Sequence, residues 1–306
     1  MRVSLGLPAY RESSPDLLSG GAIMAMARAA EDAGFEAVFV TEHPIPGDDW
    51  LASGGHHALD PFVALSFAAA ATTRLRLQTN LLIAAYRNPF LAAKAIASLD
   101  ALSGGRVVVG IGTGYLEAEF SALGVDVAER NDLTDEALAT MRLAWSGASV
   151  VARGTHWNAP GNTMLPAPAQ RPGPPIWIGG NSRRAMRRAV EMADGWVPML
   201  APAAFSKRVR SAAIADDAAL ADRIREARAH ADSVGRDSPL EVAVSPTGRP
   251  APDSPTGAAI AVEQAARLAG AGVTFLNAGV PGDTLAEVID HIGWYGAEVL
   301  PHVGSL

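Results

Sequence analysis

The chain has 306 residues, 49% of them hydrophobic and 19% charged, which excludes a disordered chain and supplies ample material for a core. It carries no cysteine, so disulfide scaffolds, thiolate metal sites, iron–sulfur clusters and cysteine nucleophiles are excluded. A net charge of −7 argues against an electrostatic nucleic-acid binder.

Residues 3–8 are the first predicted strand, and the Ala-rich helix 20–33 stops at Gly34. The run 37–41 (AVFVT) is β-branched and aromatic, as a buried strand requires. A helix over 60–72 opens on Asp60, whose charge suits the positive end of the helix dipole. Strand 75–83, helix 89–102 with Pro89 at its tolerated first position, and strand 106–111 follow. Next come a short helix 117–123 and a longer one 133–145. Gly154 and Gly161 suit a hairpin within 150–164, and the Pro-rich stretch 166–175 reads as extended. This is an excursion rather than a domain linker, because the strand–helix rhythm resumes at once with strand 176–179 and helix 182–192. Strand 195–200, one or two helices over 203–234, strand 240–244, a Pro/Gly/Ser loop, helix 258–271, strand 273–278 and helix 284–300 complete the chain.

The strands are near-continuous apolar runs, the pattern of a parallel sheet covered on both faces. Eight strands each followed by helix predict a single (β/α)8 TIM barrel domain over 1–306, with an insertion before the fifth strand at 150–175. Right-handed crossovers gather the post-strand loops at one end, so function is sought there. The longest apolar stretch, 62–71, is about half of what a bilayer needs, and residues 1–8 do not form a signal peptide. A cytoplasmic protein is expected, with neither membrane nor nucleic acid as partner.

Three strand ends carry candidate chemistry. Glu42 and His43 end the second strand, where a carboxylate and an imidazole can orient a ligand or handle a proton. The fourth strand ends in Gly110, Gly112, Thr113, Gly114 and Tyr115, where missing side chains let a flat or anionic ligand approach the backbone. A plain glycine turn explains the same pattern, and the spacing is not a dinucleotide fingerprint. The fifth strand ends in Gly179, Gly180, Asn181 and Ser182 before a basic helix. Backbone amides at that helix start, with Arg183 and Arg184, make an anion site, although an ordinary Ser cap reads the same way. His56 and His57 beside Asp60 are read as residues of a mobile loop rather than metal ligands, since adjacent side chains point apart. No metal site is expected. Lys94 and Lys207 fall in predicted helices, which argues against a Schiff-base aldolase or isomerase barrel.

Together these stretches resemble the luciferase-like monooxygenase superfamily, and most closely its actinobacterial oxidoreductases dependent on the deazaflavin coenzyme F420. The blocks that carry the likeness begin DPFVALSF and run to VVVGIGTGY, then EFSALGV, then PPIWIGGNSRRAMRRAVEMADGWVP. The resemblance implies that Glu42 and His43 lie against the cofactor ring, with His43 facing the substrate. It implies that Thr79, Asn80 and Leu81 form a bulge behind the ring with a cis peptide at Asn80–Leu81. Gly112, Thr113 and Gly114 would lie beside the ring, and Gly179, Gly180, Asn181, Ser182 and Arg183 would hold the phosphate. In the branch's sugar-phosphate dehydrogenases an acidic proton donor follows G-T-G; Tyr115 stands there in this chain, which departs from glucose-6-phosphate chemistry. Catalytic candidates are therefore His43, Glu42 and Tyr115.

The implied function is hydride transfer between F420 and an unidentified small organic substrate. A reduced-FMN monooxygenase and a catalytically silent cofactor-binding barrel are the alternatives. The loops 44–59 and 150–175, with Trp50, His56, His57 and Trp157, are expected to select the substrate. A homodimer is expected from the family alone.

Overall fold

Apolar strands too short to stand alone must pair, and here they close on themselves, leaving no edge. The computed structural model describes residues 1–8, 14–201, 206, 211–248, 250, 252 and 254–306. In chain order the strands are β1 (Arg2–Gly6), β2 (Ala37–Val40), β3 (Arg76–Ile83), β4 (Val107–Gly112), β5 (Val150–Arg153), β6 (Asn158–Asn162), β7 (Ile176–Gly179), β8 (Gly195–Val197), β9 (Glu241–Val244) and β10 (Phe275–Ala278). Eight of them, all but β5 and β6, form a closed parallel barrel in the order β1-β2-β3-β4-β7-β8-β9-β10, with β10 returning to β1. The expected (β/α)8 barrel is therefore present. β5 and β6 pair antiparallel outside it, as the two glycines in that stretch suggested.

The helices are α1 (Gly20–Ala33), α2 (Asp48–Ala52), α3 (Pro61–Ala71), α4 (Pro89–Ser103), α5 (Glu117–Ala122), α6 (Arg130–Trp145), α7 (Arg183–Met192), α8 (Asp217–Ser233), α9 (Gly257–Ala271), α10 (Leu285–Glu298) and α11 (Leu300–Val303). Side-chain caps fix several starts: Asp60 accepts from the amides of Phe62 and Val63, and Thr284 with Glu287 forms a capping box. Within 203–234, Ser206 is helical and a helix spans Asp217–Ser233. Helix α8 begins only at Asp217, where Asp216 caps the Ala219 amide, while 202–205 and 207–210, including Lys207, lie outside the described residues. Helix α6 starts three residues earlier than predicted, at Arg130, and β8 ends at Val197 rather than at residue 200.

Alternation along the strands divides the core in two. Val107, Val109, Ile176, Ile178, Val242 and Val244 pack outward against helices, whereas Val108, Trp177, Val197, Ala243 and Phe275 pack together, one position out of phase. Large inward side chains are matched by glycines. A Cβ on Gly195 would overlap Trp177, and one on Gly6 would sit 2.7 Å from the Phe39 ring. A small polar cluster shares the interior: Asn277 Oδ1 accepts from the Ser4 hydroxyl at 2.7 Å and from Gln78 Nε2 at 3.4 Å.

The excursion is fastened to the barrel's outer layer. Asp100 of α4 accepts from the Gln170 amide at 2.9 Å and from its side-chain nitrogen at 2.7 Å, and Lys94 Nζ donates to the Leu165 carbonyl at 2.5 Å. Among the described residues, no helix is long and apolar enough to cross a membrane.

Candidate functional site

Parallel closure brings the ends of β2, β3, β4 and β7 to one mouth. Glu42, just past β2, is 5% exposed, and both its oxygens are engaged. Its Oε2 accepts from the Ile83 amide at 2.6 Å, and its Oε1 is ion-paired with Arg87. Burial pushes the Glu42 carboxyl above its usual range, and the Arg87 charge and the Ile83 amide only partly offset this. Glu42 thus ties the end of β2 to the end of β3.

His43 is embedded in a cluster. Its ring lies 4.5 Å from that of Trp50 and 5.0 Å, edge-on, from that of His56. Its Nδ1 is 3.5 Å from Glu119 Oε2, and Glu119, on α5, is 1% exposed. The Tyr86 hydroxyl donates to the same Glu119 oxygen at 2.8 Å. Burial, then the bond to Glu119, pushes the Tyr86 phenol well above its ordinary value, so it stays a donor. His56, in the loop expected to select the substrate, packs against His43. Helix α2 turns the 44–59 segment back, so that Trp50 and His56 both meet His43, and burial holds His56 below its ordinary value.

The third strand breaks where expected. Asn80–Leu81 is a cis peptide, and the pairing with β4 shifts register between Thr79 and Leu82. The neighbouring glycines make room for this bulge. A Cβ on Gly110 would overlap the Thr79 carbonyl oxygen, one on Gly179 would overlap Leu81, and one on Gly112 would lie 3.0 Å from Ile83 and 3.3 Å from Leu81. Their empty space is filled by the β3 bulge itself. Gly114 is in the left-handed region at φ +76°, and Thr113 and Tyr115 flank it, half-buried, in the turn from β4 to α5.

At the end of β7, Gly180 has φ +114° and Ser182 caps α7 by accepting the Ala185 amide at 3.1 Å. The first-turn amides of Arg183 and Arg184 are left outside the helix's own bonding. The Asn181 side chain braces the loop. It is fully buried, donates to the carbonyls of Met199 and Ala212 at 2.8 Å each, and accepts the Met199 amide at 2.8 Å. The basic helix is also less open than its sequence suggests: Arg183 pairs with Glu226 at 3.0 Å, Arg184 with Asp132 and Asp135, and Arg188 with Asp135. Trp157 lines a cavity of about 480 Å³ that Tyr86 and Arg87 also line. Its ring meets Phe90 at 4.9 Å and its indole nitrogen donates to Glu136 at 2.7 Å, beside a second cavity of about 410 Å³ under the hairpin.

A family model described as luciferase-like monooxygenase matches residues 8–262. The chain belongs to that family. An uncharacterized protein of Mycobacterium tuberculosis is 33% identical over 56% of this chain and 66% of its own length. An F420-dependent glucose-6-phosphate dehydrogenase of Microbacterium testaceum is 33% identical over 55% of this chain and 49% of its own. The chain thus matches less than two thirds of the first of these relatives and about half of the second. The crystal structure of the monooxygenase RslO1 from Streptomyces bottropensis covers 99% of both chains with a TM-score of 0.76 at 22% identity, a likeness of fold. For this luciferase-like barrel, reading the sequence missed Tyr86, Arg87 and, beside His43, Glu119. The signal for Glu119 was the EFSALGV block, which carries the likeness without revealing that its first residue reaches His43.

Proposed function

We propose that this chain is an oxidoreductase that exchanges a hydride between coenzyme F420 and a small organic substrate. The observation that carries the reading is His43 and Glu42 at the barrel mouth, beside the cis Asn80–Leu81 bulge of β3. The identity to an F420-dependent dehydrogenase supports the same cofactor.

The residues fit such a group. The left-handed Gly180 and the uncommitted first-turn amides of α7 form a cradle with Ser182 and Arg183 for its phosphate. Gly179 belongs to the cradle through its backbone, and Asn181 holds the loop in shape. The bulge Thr79, Asn80 and Leu81 backs the ring, with Gly112, Thr113 and Gly114 beside it and Glu42 at its edge. When bound, the deazaflavin supplies a carbon that gives or takes hydride. His43 holds or releases the proton that balances the hydride at a substrate oxygen, and Tyr115 is a second proton carrier in the turn after β4. The barrel works as one domain over 1–306, in the cytoplasm and as a homodimer, with 44–59 and 150–175 selecting the substrate.

The family description and the likeness to RslO1 favour a second reading, a reduced-FMN monooxygenase using the same cradle. A titration separates them. Purified protein is titrated with oxidised F420 and with FMN, following absorbance and fluorescence. Micromolar or tighter F420 binding is expected; binding of FMN alone moves the assignment to the monooxygenase, and binding of neither leaves a silent barrel.

A further inference from the structure

Glu119 is a carboxylate buried where burial is costly. It is 1% exposed, its Oε2 takes the Tyr86 hydroxyl, and its Oε1 has no hydrogen-bond partner among the described residues. His43 Nδ1 is likewise buried without a hydrogen-bond partner, 3.5 Å from Glu119 Oε2. A buried carboxylate with only part of its acceptor capacity used and an unpartnered Nδ1, held this close, relieve each other's desolvation if Nδ1 carries the proton. Hydrogen bonds of this kind are often long before a ligand arrives and tighten afterwards.

We propose that Glu119 is the positioning carboxylate of His43, fixing the neutral ring as its Nδ1–H tautomer so that Nε2 is the acceptor turned to substrate. The other groups around the ring leave this role to Glu119. His56 and Trp50 meet it as rings, and Glu42 is committed to Arg87 and Ile83. Tyr86 donates to Glu119 and thereby orients the carboxylate. Tyr115 ends the glycine turn, and Glu119, four residues on in α5, delivers a carboxylate to the imidazole. The oxidation reaction this favours takes a proton from a substrate hydroxyl as hydride leaves the adjoining carbon, so the role in turnover rests on the oxidoreductase reading above.

The tautomer is read without cofactor. In the 15N-labelled protein at about pH 8, where an ordinary imidazole is neutral, the ring nitrogens of His43 are assigned by their loss in His43→Gln. The expected result is an Nδ1–H ring in the wild type. Glu119 Oε2 faces both the Tyr86 hydroxyl and Nδ1, so Glu119→Leu removes the acceptor and the ring should convert to Nε2–H. An Nε2–H ring in the wild type overturns the proposal, and so does a tautomer unchanged in Glu119→Leu. The wild-type result decides even if the variant fails to fold. In turnover, Glu119→Leu should lower kcat about 100-fold with KM nearly unchanged; an equal loss confined to KM also overturns it. Because the tautomer is measured on the free protein, failure of F420 to bind would sink the oxidoreductase reading and leave this measurement intact.

Discussion

Two residues at the mouth show how packing and charge set the site. Gly110 faces the Thr79 carbonyl so closely that no side chain fits between them. Gly110→Ala should push the β3 bulge out of register and cost about 3 kcal/mol of stability, measured by urea unfolding, with loss of cofactor binding in the same titration. Glu42 is the second. Burial raises its carboxyl above its ordinary 4.5, so the folded state holds the proton more tightly than the unfolded chain. Its contribution to stability is therefore full below about 4.5 and declines as pH rises through the raised midpoint. Glu42→Gln cannot ionise and lacks that decline. The stability of the variant relative to wild type should improve as pH rises above 4.5, and denaturation curves below and above that pH check the sign. His43, Glu42 and the glycine turns were legible as residue types at strand ends. Glu119 was not, because a carboxylate in a short helix looks solvated until the fold buries it.

Elements meet through charge as well as apolar surface. Asp135 of α6 joins α7 through Arg188, which is 4% exposed, and through Arg184. Burial pushes Asp135 up, but the bonds from Arg188 and Arg184 outweigh it and hold the carboxyl below its ordinary 3.8. A depressed carboxyl contributes stability above the unfolded value and loses it as pH falls through the folded one. Asp135→Asn should cost about 2 kcal/mol at neutral pH, since Arg188 stays buried, and the deficit should shrink as pH falls below 3.8; thermal melts across that range test it. The same pairing gives the basic run 183–188 a structural role as well. A string of arginines at a helix start looks like an anion site, yet α6 supplies acids that occupy two of them. Helix boundaries shifted for a related reason. Asp216 caps α8 at a point that periodicity alone does not mark.

At the scale of the whole molecule, the proposed homodimer predicts sedimentation at twice the 31.7 kDa chain mass; a species of single mass at micromolar concentration would remove it. The barrel itself was legible in the sequence, because eight apolar runs spaced by helices admit few other closed arrangements, and period and chain direction are local properties. The resemblance carried by the VVVGIGTGY and WIGGNS blocks likewise pointed to the mouth and to the cis peptide at Asn80–Leu81. What only the tertiary structure decided is which groups meet there. Gly110, Gly112 and Gly179 make room for the β3 bulge, Asn181 braces two loops, and His43 meets Trp50 and His56 of its own loop together with Glu119 from the distant α5. Such contacts depend on how loops of different strands fold back over one barrel end, and nothing in the local sequence records that distance.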